Sequence, residues 1–311
     1  MTAHFLDDSL VHHTWDNSLK PRLTIKPGDM VTMDCLEASD GHIRPDRPIE
    51  EMLGPRETKG HPLTGPIFIE GAEPGDSIAV EILRFQHKGW GWTRCVPVGG
   101  LLPGEFTDYI TLWDRKEDFS DFKPGIRIPL EPFCGCMGVA PAEPGPHDTT
   151  PPRISGGNMD IRHLVAGSTV FLPVFVKGAL FSAGDCHAAQ GDGEVCITGI
   201  EAPMQVTLRF QLRKGHTIPA PQFITPSPLT KADTKGYFAT TGIEPDLMEA
   251  AKQSIRYMID HLVRTYNLTR EESYHLCSVV VDLKISEIVD SPNWIVSAYL
   301  PLSIFNEVGS A

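Results

Sequence analysis

Apolar and polar residues alternate along much of this chain, the mark of strands with one buried face. Ile78, Val80 and Ile82 share a face against Ala79 and Glu81, and Val206, Leu208, Phe210 and Leu212 do so against Thr207, Arg209 and Gln211. Turn chemistry opens such runs. Lys26-Pro27-Gly28-Asp29 precedes Met30 to Cys35, Glu73-Pro74-Gly75-Asp76 precedes Ser77 to Leu83, and Ala166-Gly167-Ser168 leads into Thr169 to Phe175. A helical period is strong only near the C-terminus. From Pro245 to Tyr266, Leu247, Ala251, Ile255, Met258, Ile259 and Leu262 recur at helical steps, with Pro245 suited to the first turn. Thr269-Arg270-Glu271-Glu272 then fits a capping box that opens a second helix, ending near Val280.

Composition sharpens this picture. The 311 residues include 27 prolines and 28 glycines, which imply many turns and few long helices. The expected class is mainly β, a twisted sandwich or barrel of short strands. Pro141 to Pro152 holds too much proline for a helix or a central strand and reads as a surface loop. It separates a mainly β part over 1–150 from a β part with C-terminal helices over 151–311, the two expected to intertwine as one unit. The formal net charge of -13 argues against nucleic acid or anionic membrane as a partner. The first residues lack the basic and apolar regions of a secretory signal, and nothing approaches the roughly 18 apolar residues of a membrane span. Seven cysteines, an odd number, argue against a disulfide framework. A cytoplasmic enzyme is the expectation, with Cys134 and Cys136 read as buried thiols.

The chemistry concentrates between Gly184 and Glu201, where Asp185, His187, Gln190, Asp192 and Glu194 crowd among glycines without one basic residue. Asp185 and His187 are two apart, so in an extended segment they leave one face and could reach one ion. Carboxylate oxygen and imidazole nitrogen suit zinc or a similar divalent ion. The plainer reading is that the carboxylates bond to turn amides.

These residues carry a resemblance. Gly184-Asp185-Cys186-His187, continuing through Gln190-Gly191-Asp192-Gly193-Glu194, and Gly156-Gly157-Asn158-Met159-Asp160 resemble the acetamidase/formamidase family of small-amide hydrolases. So do Lys26-Pro27-Gly28-Asp29 with Asp34, His61-Pro62-Leu63-Thr64-Gly65-Pro66, and Glu70 to Asp76. The resemblance implies release of ammonia from a short carboxamide such as formamide or acetamide. It implies a jelly-roll-like β-sandwich with further β-barrel-like and α+β parts, a homo-oligomer, and dependence on a divalent metal. Zinc is the expected ion, with calcium a candidate for a second. It also brings Asp34, Asn158 and Asp160 to the site of Asp185 and His187. Asp40 and His42 depart from the family's usual Gly and Gln in the turn after Asp34, and Glu37 offers a competing carboxylate. His61 reads equally as a site residue or a packed loop histidine.

On this reading Asp34, Asp160, Asp185 and His187 are the metal ligands, Glu194 carries the proton, and Asn158 and Gln190 hold the amide or its oxyanion. Two rivals stand beside it. Cys186 could act as a thiolate nucleophile, although its side chain leaves the opposite face of an extended segment. Alternatively the protein binds a divalent cation or a small polar ligand without catalysis. Ser182 lacks a nucleophile elbow. His12, His13, His163, His261 and His275 read as surface or structural groups.

Overall fold

The computed structural model describes residues 1–114, 116–226, 229–287, 291–292 and 294–305. Strands dominate, as the alternation predicts, and the chain forms two compact units, each assembled from distant segments. The first unit comprises Met1–Lys88, Pro132–His187 and Glu201–Leu229; the second comprises Gly89–Glu131, Ala188–Ile200 and Thr230–Ala311. The division does not fall at residue 150. Strand pairing explains why: Met30–Cys35 pairs with Met204–Arg213, and Leu63–Ile69 with Phe181–His187, so N-terminal segments are completed by later ones.

The first unit is a sandwich of two six-stranded, mostly antiparallel sheets. One runs Ala3–Leu6, Met30–Cys35, Met204–Arg213, Ser77–His87, Thr169–Pro173, Gln222–Ile224. The other runs Gly156–Asn158, Phe133–Gly138, Phe181–His187, Leu63–Ile69, Val11–His12, with Leu23–Ile25 also pairing with Leu63–Ile69. The sheets meet through apolar inner faces, where the Phe181 and Phe210 rings pack edge to face at 5.0 Å. Strand Phe181–His187 is buried along its whole length, so its polar residues are held inside the protein.

The second unit carries the helical pattern. Helix Leu247–Tyr266 starts two residues after Pro245, because Asp246 is the N-cap and its side chain accepts from the Glu249 amide. Helix Arg270–Val280 has the expected reciprocal capping box of Thr269 and Glu272. Both pack with a three-stranded antiparallel sheet, Tyr237–Glu244, Trp294–Pro301 and Asp282–Glu287. Pro141 to Pro152 is loop apart from the two-residue strand His147–Asp148. Among the described residues no helix is long and apolar enough to cross a membrane. All seven cysteines are free and buried.

Candidate active site

The C-terminal end of strand Phe181–His187 gathers the strongest cluster. His187 Nε2 lies 3.5 Å from Asp185 Oδ1, 3.1 Å from Glu201 Oε2 and 3.9 Å from Asp160 Oδ1. His187, Asp185 and Glu201 are only 1–2% exposed, a rare depth for ionisable groups unless they are paired or hold a metal. Phe133 packs edge-on against the His187 ring at 5.0 Å, which lowers the local polarity further.

Asp185 and His187 meet as the spacing predicts, but not by simple alternation. Asp185 sits at φ 53°, outside extended geometry. Eight non-glycine residues among those described hold positive φ, and three of them are acids that the sequence reading assigns to metal binding or proton transfer: Asp160 at 48°, Asp185 at 53° and Glu194 at 44°. Such backbone costs on the order of 1–3 kcal/mol per residue and persists where the surroundings impose it, often at functional sites.

Gly135 lets the carboxylates converge. A Cβ there would lie 2.5 Å from Asp160 Oδ1 and 2.8 Å from Asp185 Oδ2. The Asp160 amide also donates to the Gly135 carbonyl at 3.3 Å, which ties the Gly156 to Asp160 segment to strand Phe133–Gly138. The glycine between Cys134 and Cys136 is therefore part of the site, a role the sequence reading did not give it.

Burial alone would push the Asp185 carboxyl up, yet the charges of His61 and His187 and the bonds from His187 and Glu201 hold it below the usual carboxylate range. Burial drives Glu201 the other way, up to about 8, reinforced by Asp185 and opposed by His187. Burial disfavours the His187 imidazolium, but Glu201 and Asp185 outweigh it and raise its pKa. His187 and Glu201 thus hold protons tightly while Asp185 gives its own up readily, in a space rich in oxygen and nitrogen donors. That donor set, carboxylates with an imidazole, fits zinc or a similar divalent cation.

The other residues divide. Asp160 joins the cluster, as does His61, whose Nε2 is 4.0 Å from Asp185 Oδ2. Asn158 is close by: its Oδ1 accepts from the Cys136 thiol at 3.3 Å and its Nδ2 donates to the Thr150 carbonyl at 3.1 Å. Asp34 is set apart. Strand Met30–Cys35 buries Val31, Met33 and Cys35 on one face, and Asp34 lies on the other, where Lys88 Nζ holds its Oδ1 at 2.6 Å. Glu37 closes its own turn, accepting from the Ser39 and Gly41 amides at 2.7 and 2.6 Å. Asp40 pairs with His13 at 3.0 Å. Cys186 turns away from Asp185: its sulfur lies 3.5 Å from Cys134 Sγ, and this contact, burial and nearby Asp185 combine to raise its pKa. His12 Nε2 meets Ser182 Oγ at 2.8 Å, and His275 bonds the Cys95 amide, both internal roles.

Gln190, Asp192 and Glu194 belong to the second unit, in the segment that leaves the site strand after His187 and returns at Glu201. Gln190 is buried, and the Asp192 amide donates to Asp282 Oδ1 at 3.1 Å. The Glu194 amide donates to the Gly191 carbonyl at 3.2 Å, closing the glycine-rich turn. Glu201 is the ionisable residue the sequence reading passed over. Its signal was an acid set between Ile200 and Ala202-Pro203-Met204, which foretells a buried carboxyl.

Residues 2–146 and 145–307 match the Acetamidase/Formamidase family. The formamidase of Methylophilus methylotrophus is 28% identical, with 96% of this chain and 90% of its own length covered. The acetamidase of Mycolicibacterium smegmatis is 30% identical over 66% of each chain. Among solved structures, the gamma lactamase from Delftia acidovorans superimposes with a TM-score of 0.89 at 27% identity, covering 97% of this chain and 93% of that one. The acetamidase from Bacillus halodurans gives 0.67 at 30% identity, covering 98% and 100%. A match that runs from residue 2 to residue 307, with formamidase and acetamidase relatives, places this hydrolase of linear amides in the acetamidase/formamidase family.

Proposed function

We propose that the protein is a metal-dependent amidohydrolase that cleaves a short linear amide, formamide or acetamide, to the carboxylate and ammonia. The observation that carries the metal reading is the buried cluster of Asp185, His187 and Glu201, joined by Asp160. These four residues would hold the ion, with zinc best suited to the donors. When bound, a divalent ion supplies Lewis-acid polarisation of the amide carbonyl and lowers the pKa of water.

The remaining work falls to the chain. Glu194 takes a proton from the attacking water and returns it to the departing nitrogen, a task that suits a carboxylate and contributes roughly 10²–10⁴-fold to rate. Asn158 and Gln190 orient the amide. Asn158 is fixed for this by its Nδ2, which donates one hydrogen to the Thr150 carbonyl at 3.1 Å and keeps the other for the substrate. Phe133 shields His187 from water and strengthens each charge interaction near it.

The likeness to a gamma lactamase supports a second reading, in which the amide bond opened is that of a five-membered lactam. One assay separates the two: ammonia release from formamide and acetamide against ring opening of a γ-lactam, each with and without chelator. Loss on chelation with recovery on adding zinc supports the metal reading, and indifference to chelation refutes it. Asp185→Asn, nearly isosteric, is expected to lose metal and turnover together.

A further inference from the structure

Beside the cluster on His187, a second set of donors converges on the other oxygen of Asp185. Cys136 Sγ lies 3.5 Å from His61 Nδ1 and 3.6 Å from Asp185 Oδ2, and His61 Nε2 is 4.0 Å from the same oxygen. One donor atom from each residue falls within 4.8 Å of the others. Metal–ligand lengths of about 2.0–2.3 Å put tetrahedral ligand atoms roughly 3.3–3.8 Å apart; both Cys136 contacts already fall in that range, and a single imidazole nitrogen of His61 has to close toward Asp185 Oδ2 for the three to surround one ion.

The fold delivers these atoms deliberately. Cys136 is fully buried, and on its apolar side it packs with Trp15 and Leu63. Opposite Cys136 on the neighbouring strand stands Gly184, where a Cβ would strike the Pro62 carbonyl. That glycine admits the Pro62–Leu63 backbone and with it His61, whose amide is pinned by Thr149 Oγ1 at 2.7 Å. The His61 side chain is 17% exposed against 3% for Asp185, so the set is reached from the imidazole side.

We infer that His61, Cys136 and Asp185 form a second divalent-cation site of nitrogen, sulfur and oxygen donors, bridged through Asp185 to the site on His187 and Glu201. Asp185 Oδ1 faces His187 while Oδ2 faces His61 and Cys136, the division a bridging carboxylate requires. Paired ions in hydrolases stand about 3.5–4 Å apart, a span one carboxylate covers. The inference rests on the metal-dependent reading above.

Cobalt(II) tests it, because a cobalt–thiolate bond gives a near-ultraviolet charge-transfer band that nitrogen and oxygen ligands do not. Protein stripped by chelator and titrated with cobalt(II) is expected to bind two ions per chain and to show this band. Cys136→Ser is expected to lose the band and one ion, whereas His187→Ala keeps the band. Far-UV circular dichroism checks that each variant folds. Zinc K-edge X-ray absorption on the unaltered protein needs no variant and is expected to show a sulfur shell at about 2.3 Å. Cobalt bound without the band, or zinc without sulfur, overturns this inference and leaves the first site standing. Failure to bind either metal overturns both.

Discussion

Replacing Gly135 with alanine adds one methyl group at the point where the site is tightest. Gly135 does not hold a positive φ, so alanine suits its backbone and the effect isolates a contact. The new Cβ would lie 2.5 Å from Asp160 Oδ1, 2.8 Å from Asp185 Oδ2 and 3.0 Å from the Asp185 carbonyl. The carbonyl belongs to a buried strand and yields little, so the Asp160 carboxylate must retreat. Reaching a tolerable contact takes a shift of about 0.7 Å, and a misplacement near 1 Å costs on the order of 10²-fold in rate. Overpacking a full interior adds roughly 1–3 kcal/mol of destabilisation. Turnover of acetamide or formamide, metal content by atomic emission and a urea midpoint separate these effects. The expected result is a folded protein with weaker metal binding and kcat/KM lowered by about 10–10²-fold. Turnover and metal content equal to the unaltered enzyme would refute the placement of Asp160 and Asp185 over Gly135.

Three further outcomes follow from the geometry. Glu194→Gln is expected to keep its metal and bind substrate while turning over about 10²–10⁴-fold more slowly; loss of metal, checked by atomic emission, would make Glu194 a ligand instead. Cys186→Ser is expected to retain most of its activity in an ammonia-release assay, because the thiol faces Cys134; abolished turnover in a folded variant would favour thiolate chemistry. His275 is kept neutral by burial, which depresses its pKa to about 3. The unfolded chain takes up the proton near its usual pKa of about 6.5, so this contribution is whole above that pH and is lost as pH falls toward 3, by up to about 1.4 kcal/mol per pH unit. His275→Gln is expected to flatten that acid limb in urea titrations, and an unchanged limb would remove the assignment.

The sequence by itself determined the local elements and the identity of the principal site strand. Alternation places Met30–Cys35 and Met204–Arg213, and the helical period and capping box place both long helices. These signals are local: side-chain period and cap chemistry act within a few residues. Gly184-Asp185-Cys186-His187 was legible because acids and imidazole rarely crowd among glycines without a function. The tertiary structure alone decided which distant residues meet there. Glu201 reaches His187 through an isolated antiparallel β-bridge, and His61 arrives because Gly184 admits its backbone. Gly135 matters only because two carboxylates cross above it. Asp34, whose role rested on resemblance, faces Lys88 because the pleat turns its neighbours inward and turns it out. Strand register and sheet pairing join residues far apart in sequence, and the free energy that selects them is spread over the whole core rather than carried by any short motif.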